Sequence, residues 1–184
     1  MLCYGAKDFA RAFRTVRKNT IQTAQEIPEE QYGFRAAPDT RSVAELLIHI
    51  AVTPTLTERI QFTERRTDFD GFDYFGAVGA IYAEEKKPLT KAEILELLTL
   101  NGDHFAALLD GMTDEFLSES VIYPAGMEPP SKTRFEMLMS TKEHEMHHRG
   151  QLMLIQRMLG ATTHLTRHMQ EIIASMQAQQ QAQQ

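Results

Sequence analysis

Three times along the chain a Ser or Thr stands three residues before a Glu at the head of an apolar pattern of helical period: Ser42 with Glu45, Thr90 with Glu93, and Thr133 with Glu136. In such a pair the hydroxyl accepts from an otherwise unpaired backbone N–H of the first helical turn. The glutamate reaches back to the N–H of the capping residue. Each pair therefore fixes where a helix starts. A first helix precedes them, with Phe9, Phe13, Val16, Ala24 and Ile27 as its apolar stripe and Pro28 as its end. Four helices are expected at about 5–27, 42–64, 90–110 and 133–159, and a shorter fifth over about 164–176. Gly111 and Gly160 stand where helix C-terminal glycines belong.

This pattern is all-α, with weak strand signals and no internal repeat. The expected connections run to roughly 14, 25 and 22 residues, far longer than the roughly 2–8 residues that join neighbours in an up-and-down bundle. A four-helix bundle with long crossover connections follows. At 184 residues the chain suits a single domain, expected over residues 1–176. The glutamine-rich end "QAQQQAQQ", residues 177–184, is expected to be disordered. Pro54 is expected to bend the second helix. In the second connection, "FDGFDYFGAVG" gathers Phe69, Phe72, Tyr74 and Phe75. Such a cluster either caps the bundle core or lines a pocket for an apolar part of a substrate.

The fourth helix contains "HEMHHRGQLMLIQRMLG". On a helical wheel His144 and His148 fall one turn apart on the stripe of Met137, Thr141, Ile155 and Leu159, facing the bundle, while His147 falls at its edge. Two buried neutral imidazoles without partners are costly, and a divalent metal ion removes that cost by taking a lone pair from each ring. His49 shares the apolar stripe of the second helix with Leu46, Ile50, Leu56 and Ile60. It is either a core histidine bonded to a neighbour or a third ligand. As a ligand it would complete a three-nitrogen site with open positions, the arrangement of catalytic rather than structural metals. Imidazole suits zinc and nickel alike. Glu45, one turn before His49, is a candidate acceptor or base as well as a capping partner. Gln151 is placed to hold water or substrate beside the ion, and His147 or Glu45 is a candidate fourth ligand. His104, His164 and His168 are read as ordinary surface or core residues.

Composition narrows the partners. The formal charge of −6 offers no broad basic surface for nucleic acid; Arg11, Arg14 and Lys18 read as the solvated side of the first helix. No apolar run approaches the roughly 18 residues of a membrane span. The first residues lack the apolar core and cleavage site of a secretory leader. With one cysteine, Cys3, the chain forms no internal disulfide, and a cytoplasmic location is expected. Cys3 is not expected to be catalytic.

An "AELLIHI" histidine in the second helix followed by the His-x-x-x-His-Arg-Gly-Gln string of the fourth resembles the DinB/YfiT superfamily, over about residues 5–160. The resemblance implies a four-helix bundle, often a homodimer, that holds a divalent ion, zinc or nickel, on His49, His144 and His148. It also implies a small-molecule substrate. Some relatives transfer low-molecular-weight thiols such as bacillithiol or mycothiol, one branch isomerises maleylpyruvate, and many have no assigned reaction. The expected function is therefore metal-dependent thiol S-transfer to small electrophiles, with a non-catalytic, stress-associated metal-binding or dimerisation module as the alternative. The chain departs from the family in carrying Arg41 where an aromatic residue is frequent, in having no tryptophan, and in ending with "ATTHLTRHMQ" rather than a proline-rich stretch.

Overall fold

The computed structural model describes residues 4–182; the expectation for Cys3 lies outside them. Four long helices form the body: α1 Ala6–Glu26, α2 Val43–Glu58, α4 Lys91–Asp110 and α6 Arg134–Met158. Helices α1 and α2 each pack against both α4 and α6, so the chain is an all-α four-helix bundle. All three capping boxes form, and in each the hydroxyl accepts from the backbone N–H of its Glu and the carboxylate from the cap. Between the four lie two shorter helices, α3 Tyr74–Glu85 and α5 Asp114–Ser118, and a two-stranded antiparallel sheet, β1 Ser120–Ile122 with β2 Ser131–Thr133; α7 His164–Gln181 follows α6. No helix of the described residues is long and apolar enough to cross a membrane.

The second connection is thus partly helical. Asp73 caps α3 through Gly76 N–H, but Gly76 and Gly79 depress helix propensity across the segment, which hides α3 in the sequence. Helix α7 runs through Gln181, into the stretch expected to be disordered, and every described residue from Arg167 onward is exposed. Gly160 takes a left-handed φ of 83°, whereas Gly111 closes α4 at φ −84° and needs no glycine freedom.

Pro54 lies inside α2, and the helix passes through it before ending in a π-helical turn at Arg59–Thr63. Proline deprives the carbonyl four residues earlier, that of Ile50, of its helical donor. The Arg17 guanidinium supplies a replacement, with Nη2 donating to Ile50 O at 3.3 Å. Its Nη1 donates to Leu98 O at 2.7 Å, and it meets Glu145 in a two-pronged ion pair, both side chains being about 95% buried. This polar layer divides two apolar clusters. One gathers Ala24, Ile50, Leu98 and Leu152; the other gathers Phe9, Phe13, Phe105 and Leu138.

Candidate metal centre

His49 projects from the middle of α2, and His144 and His148 from successive turns of α6. His49 and His148 are buried and His144 half-buried. Their Nε2 atoms converge: His144 Nε2 lies 3.1 Å from that of His49 and 3.1 Å from that of His148. The outward nitrogens of the other two rings are tied. His49 Nδ1 donates to Glu85 Oε1 at 2.7 Å, and His148 Nδ1 donates to the amide oxygen of Gln151 at 2.8 Å. Both acceptors lack a proton to give, so each ring carries its hydrogen on Nδ1 and turns a bare Nε2 inward.

Burial pushes all three imidazoles below their ordinary value, and the neighbouring rings add to the effect at His144, whose pKa falls to about 4. They are neutral at physiological pH, with lone pairs free. At most one of the three inward nitrogens bears a hydrogen, that of His144, and it can serve only one of its two neighbours at a time. A divalent cation satisfies all three. Imidazole nitrogens that share one tetrahedral ion stand roughly 3.3 Å apart, close to the spacing found here. The donor set therefore fits a metal ion. Among the described residues no fourth His, Cys or carboxylate joins the cluster.

Glu85 is the residue that sequence reasoning misses. It is buried at the end of α3, and its carboxylate joins His49 to the Arg41 guanidinium, whose Nε and Nη2 donate to it at 2.6 and 3.2 Å. Glu45 instead takes hydrogen bonds from Ser42 N, Arg35 and Lys86, and chiefly Arg35 holds its pKa down to about 2. It makes no hydrogen bond to the three histidines. Gln151 orients His148 and also contacts His147 Nε2 at 3.1 Å; His147 is exposed, its ring 5.0 Å from that of His148, and is not among the three that converge. His104 pairs with Glu58, His164 meets Asn19, and His168 is exposed, all outside the cluster.

A cavity of about 690 Å³ reaches the cluster at His144. Phe69, Phe72, Tyr74 and Phe75 all line it, together with Tyr123 and faces of α2 and α6. The hairpin builds its wall: Ile122 N–H donates to Thr67 O, and the adjacent Tyr123 stacks on Phe69 at 5.4 Å. Arg59 and Arg66 sit over the Phe72 ring. The loop aromatics thus form a pocket rather than a cap on the bundle.

No curated protein matches this sequence. Among solved structures, YfiT of Bacillus subtilis, described as a probable metal-dependent hydrolase with an unusual four-helix bundle topology, is 18% identical over 85% of this chain and 89% of its own, with a TM-score of 0.66. A DinB-like protein of Bacillus subtilis is 22% identical over 84% of this chain and 93% of its own, at a TM-score of 0.60. An uncharacterised protein of Clostridium difficile 630 is 14% identical over 85% and 98%, at 0.65. These likenesses concern the fold. A family model for the DinB superfamily matches residues 12–152, most of the bundle and all three histidines, and the chain belongs to the DinB superfamily.

Proposed function

We propose that His49, His144 and His148 hold one divalent ion, zinc or nickel, and that the protein is a metal-dependent enzyme that transfers a small thiol to an electrophile. The observation that carries this reading is the inward convergence of three Nε2 atoms, two of them bare and fixed from behind, with no fourth protein ligand among the described residues. Structural ions are normally closed by a fourth side chain, whereas catalytic ones keep a place for a reactant. A divalent ion held by the three imidazoles would supply a Lewis acid that lowers the pKa of a thiol and raises the supply of thiolate near neutral pH.

The chain's own residues do the rest. Glu85 and Gln151 orient the rings of His49 and His148, and the aromatic cavity beside His144 takes the apolar body of the electrophile. In the transfer the thiol proton passes to solvent and a sulfur–carbon bond forms. The bond to the leaving group breaks, and that group departs with the electron pair. The homodimer implied by the family resemblance is part of the same reading, and sedimentation of the full chain tests it.

Hydrolysis is the second reading, favoured by the description of YfiT; water would replace the thiol at the same residues. Elemental analysis of protein purified without a histidine tag should find one metal ion per chain, lost in His148→Ala. Retention of full metal by that variant would discard the triad. Metal-loaded protein is then given monochlorobimane with bacillithiol, mycothiol, glutathione or no thiol, and separately an activated ester. Thiol-dependent turnover above the His144→Ala control supports S-transfer. Ester cleavage without thiol supports hydrolysis. Neither, with a metal that still raises the melting temperature, leaves a non-catalytic metal-binding module.

A further inference from the structure

A second cavity, of about 870 Å³, meets the cluster at a different imidazole from the first. It lies between the loop at 35–41, the C-terminal end of α3 and one side of α6, and reaches His148 and Gln151. Its chemistry is opposite to that of the aromatic cavity. Arg35, Arg41 and Lys86 line it with Glu45 and Glu85, and Asp39 stands exposed at its edge.

The polar groups of this cavity are unequally satisfied. Both glutamates are heavily engaged: Glu45 accepts from Ser42 N, Arg35 and Lys86, and Glu85 from Arg41 and His49. Arg35 is engaged too, by Thr40 O and Glu45, but Arg41 and Lys86 keep donors to spare. Arg41 has five N–H groups and uses one on each of two nitrogens for Glu85; Lys86 has three and gives one to Glu45. The spare capacity is in donors, and a carboxylate is the small anionic group that matches it. The aromatic cavity matches it less well: whereas three cations balance three carboxylates in the polar cavity, its charged lining apart from His144 is Lys132 with Asp73 and Glu128, an excess of negative charge. Its body of Phe69, Phe72, Phe75 and Tyr123 suits an uncharged aromatic group. Both volumes lie within the roughly 300–1,000 Å³ of small-molecule sites.

The geometry points to a two-substrate site. The polar cavity takes a small thiol that carries a carboxylate, the aromatic cavity takes an uncharged electrophile with a broad apolar body, and their reacting ends meet at the three histidines. This inference rests on the S-transfer reading above and assigns each partner its side. A hydrolase needs one organic substrate and water; two separate, chemically opposite cavities are what a two-substrate transfer uses.

Binding can be read apart from turnover. On metal-loaded full-length protein, N-phenyl-1-naphthylamine fluorescence reports the aromatic cavity, and calorimetry compares 3-mercaptopropionate with 2-mercaptoethanol. The naphthylamine should saturate at one per chain and remain bound when 3-mercaptopropionate is saturating. The carboxylated thiol should bind more tightly than its neutral counterpart by up to about fivefold, the usual scale for one partly exposed charge contact. Two substitutions at exposed positions separate the cavities. Ser140→Trp, at the mouth of the aromatic cavity, should abolish naphthylamine binding alone. Lys86→Met should erase the preference for the carboxylated thiol alone, with metal content unchanged in both. Competition between the two probes, equal binding of the two thiols, or an unchanged preference in Lys86→Met would overturn the inference. Independent binding of both probes without turnover would keep the two sites and remove the transfer reaction. A wild-type protein that binds no metal would remove both.

Discussion

Glu85 holds His49 from behind, and a carboxylate in that position raises ligand basicity and fixes which nitrogen faces the ion. Glu85→Ala should weaken metal binding by about 10–100-fold, and Glu85→Gln, which keeps an acceptor for Nδ1–H but loses the charge, by less. Competition against a chelator of known affinity measures both. The pH dependence follows from the rings. In the unfolded chain the imidazoles titrate near 6.5, whereas in the folded protein all three are lowered, His144 to about 4. Between those values the unfolded state binds more protons, so folding stability is kept above pH 6.5 and declines as pH falls toward 4. Urea melts of chelator-treated protein at pH 7 and pH 5 should show the lower midpoint at pH 5, with a smaller gap in His144→Phe. The three histidines were legible because each shares an apolar stripe at helical spacing. Glu85 was not, because it stands 36 residues from His49 in a segment whose glycines conceal its helix, while Glu45 offered a nearer carboxylate.

The helices announced by capping boxes were legible to within a residue or two of their starts, because a box states its own position in four residues. Short elements such as α3, α5 and the hairpin depend on tertiary contacts that no local pattern carries. The same holds for the buried layer in the bundle. Arg17 reads as one more polar position in a basic stretch, yet it caps the carbonyl freed by Pro54 and pairs with Glu145 across 128 residues. Gly102 makes room for it: a Cβ there would stand 2.7 Å from Arg17 Cγ. Gly102→Ala should therefore destabilise the α1–α4 contact by about 1–3 kcal/mol, despite alanine's better helix propensity. Glu145→Ala leaves the Arg17 charge buried and unpaired, and should cost about 3–5 kcal/mol. Denaturant titration of both variants checks the order, with Glu145→Ala the worse. A Gly102→Ala protein as stable as wild type would mean that Arg17 moves aside freely and that the polar layer does not lock the bundle.

Across the whole molecule, burial is distributed unevenly, and the last helix shows it most plainly. Helix α7 is fixed at its start, where Thr163 caps it, His164 is buried beside Asn19, and Arg167 pairs with Glu26 at 2.5 Å. Beyond that first turn nothing is buried, and Met169, Ile172, Ile173 and Met176 stand 39–57% exposed. An isolated helix of this length gains little from propensity alone, since most helical stability comes from packing an apolar face. The outer turns of α7 should thus contribute little to the stability of a single chain. Truncation after His168 removes the glutamine-rich end and the exposed apolar residues but, among the described residues, no buried one. It should move the melting temperature by less than about 2–4 °C, the shift that roughly 1 kcal/mol gives a domain of this size, and leave metal content unchanged. A fall well beyond that range, accompanied by a smaller sedimenting species, would mean that these side chains are covered by a second copy in solution. Truncation can separate the two outcomes because His164 and the Arg167–Glu26 pair, the contacts that hold α7 to its own bundle, are left in place.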